Sequence, residues 1–109
     1  MQRTFVRTKT FDRNWTDMGL NDDDLCKLEN MLLCNPKAGV VIPHLTGARK
    51  VKLALPGRGK SGGARVVYID VVICEKIHLL IAYPKNVQTD LTSDQRATLK
   101  RLISTLKEE

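Results

Sequence analysis

The stretch that decides the fold runs from Arg49 to Tyr83: RKVKLAL (Arg49–Leu55), PGRGKSGG (Pro56–Gly63), ARVVYIDVVI (Ala64–Ile73), Cys74-Glu75, and KIHLLIAY (Lys76–Tyr83). The first segment alternates. Val51, Leu53 and Leu55 fall on one side of an extended chain, and Lys50, Lys52 and Ala54 on the other. The second holds four of the seven glycines behind a proline and reads as an extended turn. The next two apolar runs are rich in Val, Ile and Tyr and predict a β-hairpin joined near Glu75. Three successive strands with short connections predict an antiparallel sheet. The middles of the hairpin strands are apolar on both faces, so alternation leaves the direction of Arg65 open.

Upstream, Thr4–Val6 is a short β-prone stretch suited to a sheet edge, and Thr10–Met18 predicts a short helix ending near Gly19. Asn21 is placed to cap a second helix, with Asp22, Asp23 and Asp24 at the positive end of its dipole. Leu25, Leu28, Met31 and Leu32 give that helix one apolar face, and Asn35-Pro36 ends it. The three aspartates are therefore capping residues rather than metal ligands. Lys37–Gly47 reads as a loop. Downstream, Thr92 and Gln95 form a T-x-x-Q capping box, followed by the stripe Leu99, Leu102, Ile103 and Leu106. The order of strand, two helices, three strands and helix predicts an α+β domain. A chain of 109 residues suits one domain, residues 1–109.

Charge narrows the class of partner. Eighteen Lys and Arg oppose twelve Asp and Glu, for a formal charge of +6. The distribution matters more than the total. No acid occurs between Glu29 and Asp70, a span that holds Lys37, Arg49, Lys50, Lys52, Arg58, Lys60 and Arg65. A solvated surface mixes its signs, so a segregated basic block favours a phosphate-bearing partner. The glycine-rich turn can bring backbone close to such a ligand, and Arg58, Lys60 and Arg65 offer donors.

Several other classes are disfavoured. Ala54-x-x-x-x-Gly59-Lys60-Ser61 mimics a phosphate-binding loop, but a β-branched run follows where that motif needs a helix N-terminus. His44 lies in a Pro-flanked loop and His78 in an apolar strand, which is no metal-ligand pattern, and no cofactor motif occurs. Cys26, Cys34 and Cys74 are odd in number and lack a C-x-x-C spacing. Cys26 and Cys74 read as small buried apolar residues of a helix and a strand. With no signal peptide, free thiols predict a reducing cytoplasm. The apolar runs are too short to span a membrane.

Six motifs occur in order along nearly the whole chain: Phe11…Trp15, Asn35-Pro-Lys-x-Gly39-x-Val-Ile42, Thr46-Gly-x-Arg-Lys50-x-Lys52, Gly57-x-Gly-Lys60-x-Gly-Gly-x-Arg65-x-x-Tyr68, Tyr83-x-Lys85-Asn86 and Asp90-Leu-Thr92. Together they resemble the HigB/RelE-like branch of the toxins of type II toxin–antitoxin systems. The resemblance implies the RelE-like α+β fold, an antiparallel twisted sheet packed by two N-terminal helices and a C-terminal helix. It also implies a ribosome-dependent endoribonuclease that cuts mRNA and inhibits translation. The implied partners are mRNA, the ribosome with its rRNA, and a cognate helix-turn-helix antitoxin through which alone operator DNA is reached. Arg65, Lys85, Lys60 and Tyr83 are the matching candidates for catalysis, and Lys50, Lys52, Arg58 and Arg49 for RNA binding. The sequence departs from the family in two places. Pro84 stands where this branch often has glycine before the lysine. The C-terminal catalytic tyrosine of some RelE toxins has no counterpart, since Tyr68 and Tyr83 are the only tyrosines.

The chemistry expected of such an enzyme needs no metal. The ribose 2′-OH attacks the adjacent phosphate and leaves a 2′,3′-cyclic end. Arg65, with its planar fork, is expected to stabilise the phosphorane. Clustered cations favour loss of a proton from one of them, which makes a lysine among Lys50, Lys52 and Lys60 the candidate base and Lys85 or Tyr83 the candidate acid. Two other readings remain open at this point. One is a non-catalytic RNA- or ribosome-binding module. The other is a toxin of the ParE type acting on DNA gyrase, against which the set Lys50, Lys52 and Arg65 argues.

Overall fold

The computed structural model describes residues 3–54, 63–88 and 90–107. In chain order the elements are β1 (Thr4–Arg7), α1 (Lys9–Asp17), α2 (Asp22–Cys34), β2 (Val40–Val41), β3 (Arg49–Leu53), β4 (Ala64–Val71), a 3₁₀ turn (Val72–Cys74), β5 (Lys76–Pro84) and α3 (Ser93–Lys107). The five strands form one sheet in the order β1-β5-β4-β3-β2.

The expected antiparallel sheet is in fact mixed. β2 to β5 pair antiparallel, whereas β1 runs parallel to β5, with Thr4 opposite Lys76 and Arg7 opposite Leu79. The hairpin leaves one flank of β5 open, and the first strand fills it. The Arg3 guanidinium reaches Asp70 at 2.7 Å, and the Thr4 N–H donates to the Glu75 carbonyl at 2.9 Å. Both contacts fasten the N-terminal strand to the hairpin.

Two cores share this sheet, one on each face. Phe11, Trp15, Leu25, Leu28 and Leu32 of α1 and α2 pack on Val51, Leu53, Val66, Tyr68 and Ala82. Leu99, Ile103 and Leu106 of α3 pack on Val67, Ile69, Ile81 and Tyr83. Alternation along each strand places these sets on opposite faces. That two-sided burial is why the hairpin strands are apolar throughout. The cost of hiding long apolar strands is met by helices on both sides.

Local signals account for the helices. The Thr8 hydroxyl accepts from the Phe11 N–H at 2.9 Å and caps α1. The rings of Phe11 and Trp15 stack 5.2 Å apart, and the Trp15 indole donates to the Asn21 carbonyl at 3.1 Å. Asn21 and Asp24 form a reciprocal capping box on α2. Thr92 and Gln95 do the same for α3, each backbone N–H bonded to the other's side chain.

Other expectations need correction. Cys26 is exposed and Cys74 half-buried, so neither is a core residue. Cys26 follows Leu25 by one residue, so the turn of the helix carries it off the apolar face, and Cys74 lies in the 3₁₀ turn instead of a strand. The loop between α2 and β3 contains the two-residue edge strand β2.

Gly39 makes that edge possible. It adopts φ +79°, and a Cβ there would lie 2.1 Å from the Lys50 carbonyl oxygen. The Tyr68 hydroxyl closes the same corner from below, 2.7 Å from the Ala38 carbonyl and 3.0 Å from that of Pro36. Burial pushes its phenol up to about 12, so it stays a donor under physiological conditions. Gly39→Ala should therefore force β2 away from β3 and cost at least about 1–3 kcal/mol, the range for strained backbone, read as a lower urea midpoint.

Candidate functional site

Cross-strand register brings the basic residues together. Lys52 of β3 stands opposite Arg65 of β4, which stands opposite Tyr83 of β5. Directly opposed side chains on one face lie about 5 Å apart at Cβ. Lys50, opposite Val67, is two residues along and shares that face. It is the face that α3 covers in part, because Val67 and Tyr83 belong to the α3 core. Lys52 is exposed and Lys50 half-buried.

Arg65 and Tyr83 lie deeper. Arg65 is only 8% exposed, and among the described residues its guanidinium makes one hydrogen bond, to the Ala64 carbonyl at 3.3 Å. Lys52 and Tyr83 flank it across the strands, on the same face as the aliphatic residues that pack against α3. Tyr83 is 3% exposed, and among the described residues its hydroxyl has no hydrogen-bond partner. Burial raises its pKa, and Asp90 raises it further against the opposing pull of Arg65 and Arg96. Tyr83 is thus a protonated hydroxyl among charges of both signs, suited to donate and unsuited to act as a base.

The connection from β5 to α3 and the first turn of α3 add two residues that sequence reasoning did not place in the site, Asp90 and Arg96. Asp90 Oδ1 accepts from the Leu91 N–H at 2.8 Å and lies 3.5 Å from Lys50 Nζ. Asp90 Oδ2 lies 3.3 Å from the Arg96 guanidinium. The Leu91 N–H holds this carboxyl below the usual range; burial opposes it, and Lys50 and Arg96 add smaller pulls downward. Gln88 braces the connection by donating to the Asp90 carbonyl and to the Gln95 side chain, each at 2.9 Å. No acid is near the basic block in sequence, yet the fold brings one beside Lys50. The capping box at Thr92 shows where α3 starts. Asp90 already stands in the motif Asp90-Leu-Thr92, two residues ahead of that box, and Arg96 follows as a first-turn residue.

Other candidates fall elsewhere. Arg49 stands opposite Tyr68, on the α1/α2 face, and donates to the Lys37 carbonyl at 3.0 Å. Lys85 is exposed just beyond β5, and its N–H donates to the Gly63 carbonyl at 3.0 Å, which extends the β4–β5 ladder past Pro84. Arg58 and Lys60 lie outside the described residues. The residue run after the glycine-rich turn enters β4 at Ala64, so a strand stands where a nucleotide-binding loop would need a helix. Among the described residues no group of three or more His, Cys, Asp or Glu could hold a metal. Among them also, no helix is long and apolar enough to cross a membrane.

The fold and site together define a small α+β protein with a cationic row across the strands of one sheet. The chain matches the family described as "RelE toxin of RelE / RelB toxin-antitoxin system" over residues 2–108, and it belongs to that family. Its structure is similar to that of a double-arginine mutant of the Escherichia coli toxin RelE in the free state, with a TM-score of 0.58. That match has 14% sequence identity and covers 90% of this chain and 97% of the other. At such identity the likeness establishes the fold, and the RelE-like α+β architecture expected from the sequence is the one observed.

Proposed function

We propose that this toxin is an endoribonuclease that cuts mRNA on the ribosome and so inhibits translation. The observation that carries the reading is the row Lys52–Arg65–Tyr83, with Lys50 beside it, on one face of the sheet. Three cations and a buried phenolic donor from three adjacent strands suit a phosphodiester in the act of cleavage.

In this reading the ribose 2′-OH attacks the neighbouring phosphorus and its proton passes to a base. Lys52, directly cross-strand from Arg65, is assigned that role, with Lys60 of the glycine-rich turn as its alternative. Arg65 stabilises the phosphorane, where its two parallel N–H groups match two oxygens. The P–O5′ bond breaks, and the 5′-oxygen takes a proton from Tyr83 or Lys85. The products are a 2′,3′-cyclic phosphate and a 5′-hydroxyl, and no metal enters. Lys50, which already faces an anion in Asp90, binds phosphate, with Arg58 contributing from the turn. Arg49, on the other face, would touch only RNA that wraps the β2 edge. The absence of a strong base within the row fits an enzyme that leaves substrate alignment to the ribosome. The toxin would work in the cytoplasm, restrained by a cognate helix-turn-helix antitoxin that also supplies the contact with operator DNA.

Primer extension on mRNA after induced expression tests the activity. New 5′ ends within translated regions are expected. Growth arrest without new ends would favour a non-catalytic ribosome binder, and inhibited gyrase would favour the ParE type of target. Binding has its own signature. Lys50→Ala with Lys52→Ala should reduce the slope of log K against log salt by about 0.7 for each phosphate no longer neutralised, so by roughly 1.4 for the pair. An unchanged slope would remove both lysines from the interface.

A further inference from the structure

The Asp90 carboxylate is an oxyanion held where two cations from separate elements converge, Lys50 from β3 and Arg96 from α3. Those contacts are long, at 3.5 and 3.3 Å, and the Asp90 side chain is 57% exposed. Ion pairs that long and that exposed are weak, so neither cation is committed to this partner. A second observation points the same way. The Tyr83 hydroxyl, buried and without a partner among the described residues, senses Asp90, Arg65 and Arg96 together. A hydrogen-bond donor hidden without an acceptor is destabilising, and a ligand oxygen would relieve it.

We propose that Lys50 and Arg96 form a second phosphate subsite beside the Arg65 row, taking the RNA backbone phosphate next to the scissile one, and that Asp90 fills this subsite in the free protein. The proposal rests on the RNA-cleaving reading above and extends it. Lys50 and Lys52 are two residues apart on β3, about 6.7 Å along the strand, comparable to the separation of successive phosphates in an extended single strand. A chain lying with its scissile phosphate on Lys52 and Arg65 therefore carries a neighbouring phosphate to Lys50. An arriving phosphate matches the carboxylate in charge and in acceptor oxygens, and it displaces Asp90 outward. Asp90 keeps its bond to the Leu91 N–H only while it stays inward, which makes it a tethered and weak competitor.

Asp90→Asn tests this, since asparagine preserves an acceptor for the Leu91 N–H and removes the charge. Wild-type and variant full-length toxin are titrated with a 2′-O-methyl RNA oligonucleotide, which cannot be cleaved, and separately with inorganic phosphate. The NMR signal of the Arg96 Nε–H is followed, and thermal melting verifies that the variant folds. The expected result is RNA binding that is about three- to tenfold tighter in the variant, the gain from removing one or two weak ion-pair competitors. The Arg96 signal should move with both ligands, and more readily in the variant. Equal or weaker RNA binding by the variant with a motionless Arg96 signal would overturn the subsite and leave the RNA reading standing. Failure of both proteins to bind RNA, with an Arg96 response to phosphate, would uphold the anion subsite and overturn the RNA reading. Silence toward both ligands would end both.

Discussion

Arg65→Ala should lower mRNA cleavage by about 10²–10³-fold, the usual loss when one donor to a transition-state oxyanion is removed. The register of three strands fixes the residue between Lys52 and Tyr83. The residue is buried, and its one hydrogen bond among the described residues is to the adjacent carbonyl. A buried cation with a single hydrogen bond among the described residues is poorly explained by stability alone. The variant should therefore fold, with cooperative urea unfolding retained, while new 5′ ends disappear from primer extension. Arg65→Lys keeps the charge but loses the two-pronged geometry and should recover only part of the rate. Full toxicity in the alanine variant would remove Arg65 from the chemistry.

Tyr83→Phe should move stability and activity in opposite directions. Its hydroxyl is buried and, among the described residues, bonded to nothing. Deleting it relieves the desolvation of an unsatisfied group, and stability should rise by about 1 kcal/mol or more. If that hydroxyl protonates the leaving 5′-oxygen, cleavage should fall by about 10²–10⁴-fold. Denaturant midpoints and single-turnover cleavage read the two effects separately. A phenylalanine variant that is less stable and fully active would mean the hydroxyl has a structural partner and no part in proton transfer. A more stable but fully active one would pass the role of acid to Lys85.

The elements of this fold were legible because each carries a local signature. Asn21 and Thr92 mark helix starts, Asn35-Pro36 a helix end, and the alternation Lys50-Val51-Lys52-Leu53 a half-buried strand. What stayed hidden depends on contacts distant in sequence. The parallel pairing of β1 with β5 has no local signal, since Thr4–Arg7 would suit either edge and either direction. The direction of Arg65 was hidden because helices cover both faces of β4 and erase its alternation. Asp90 and Arg96 join the site only because α3 packs back over the sheet beside β3. Cys26 misled because free cysteine is commonly buried, whereas its place one step past Leu25 sets it toward water.

The pairing of Thr4 with Lys76 also governs when the molecule can be finished. β1 has to wait for β5, the last strand described, before any of its ladder bonds can form. Contacts so remote along the chain raise the entropic barrier to folding and slow it. Tyr83 sits on that same strand, so the row across the sheet is complete only once the partner of β1 is in place. Trimming a few residues from the amino terminus would likewise uncover the flank of the strand that carries Tyr83, and not merely shorten a loose tail.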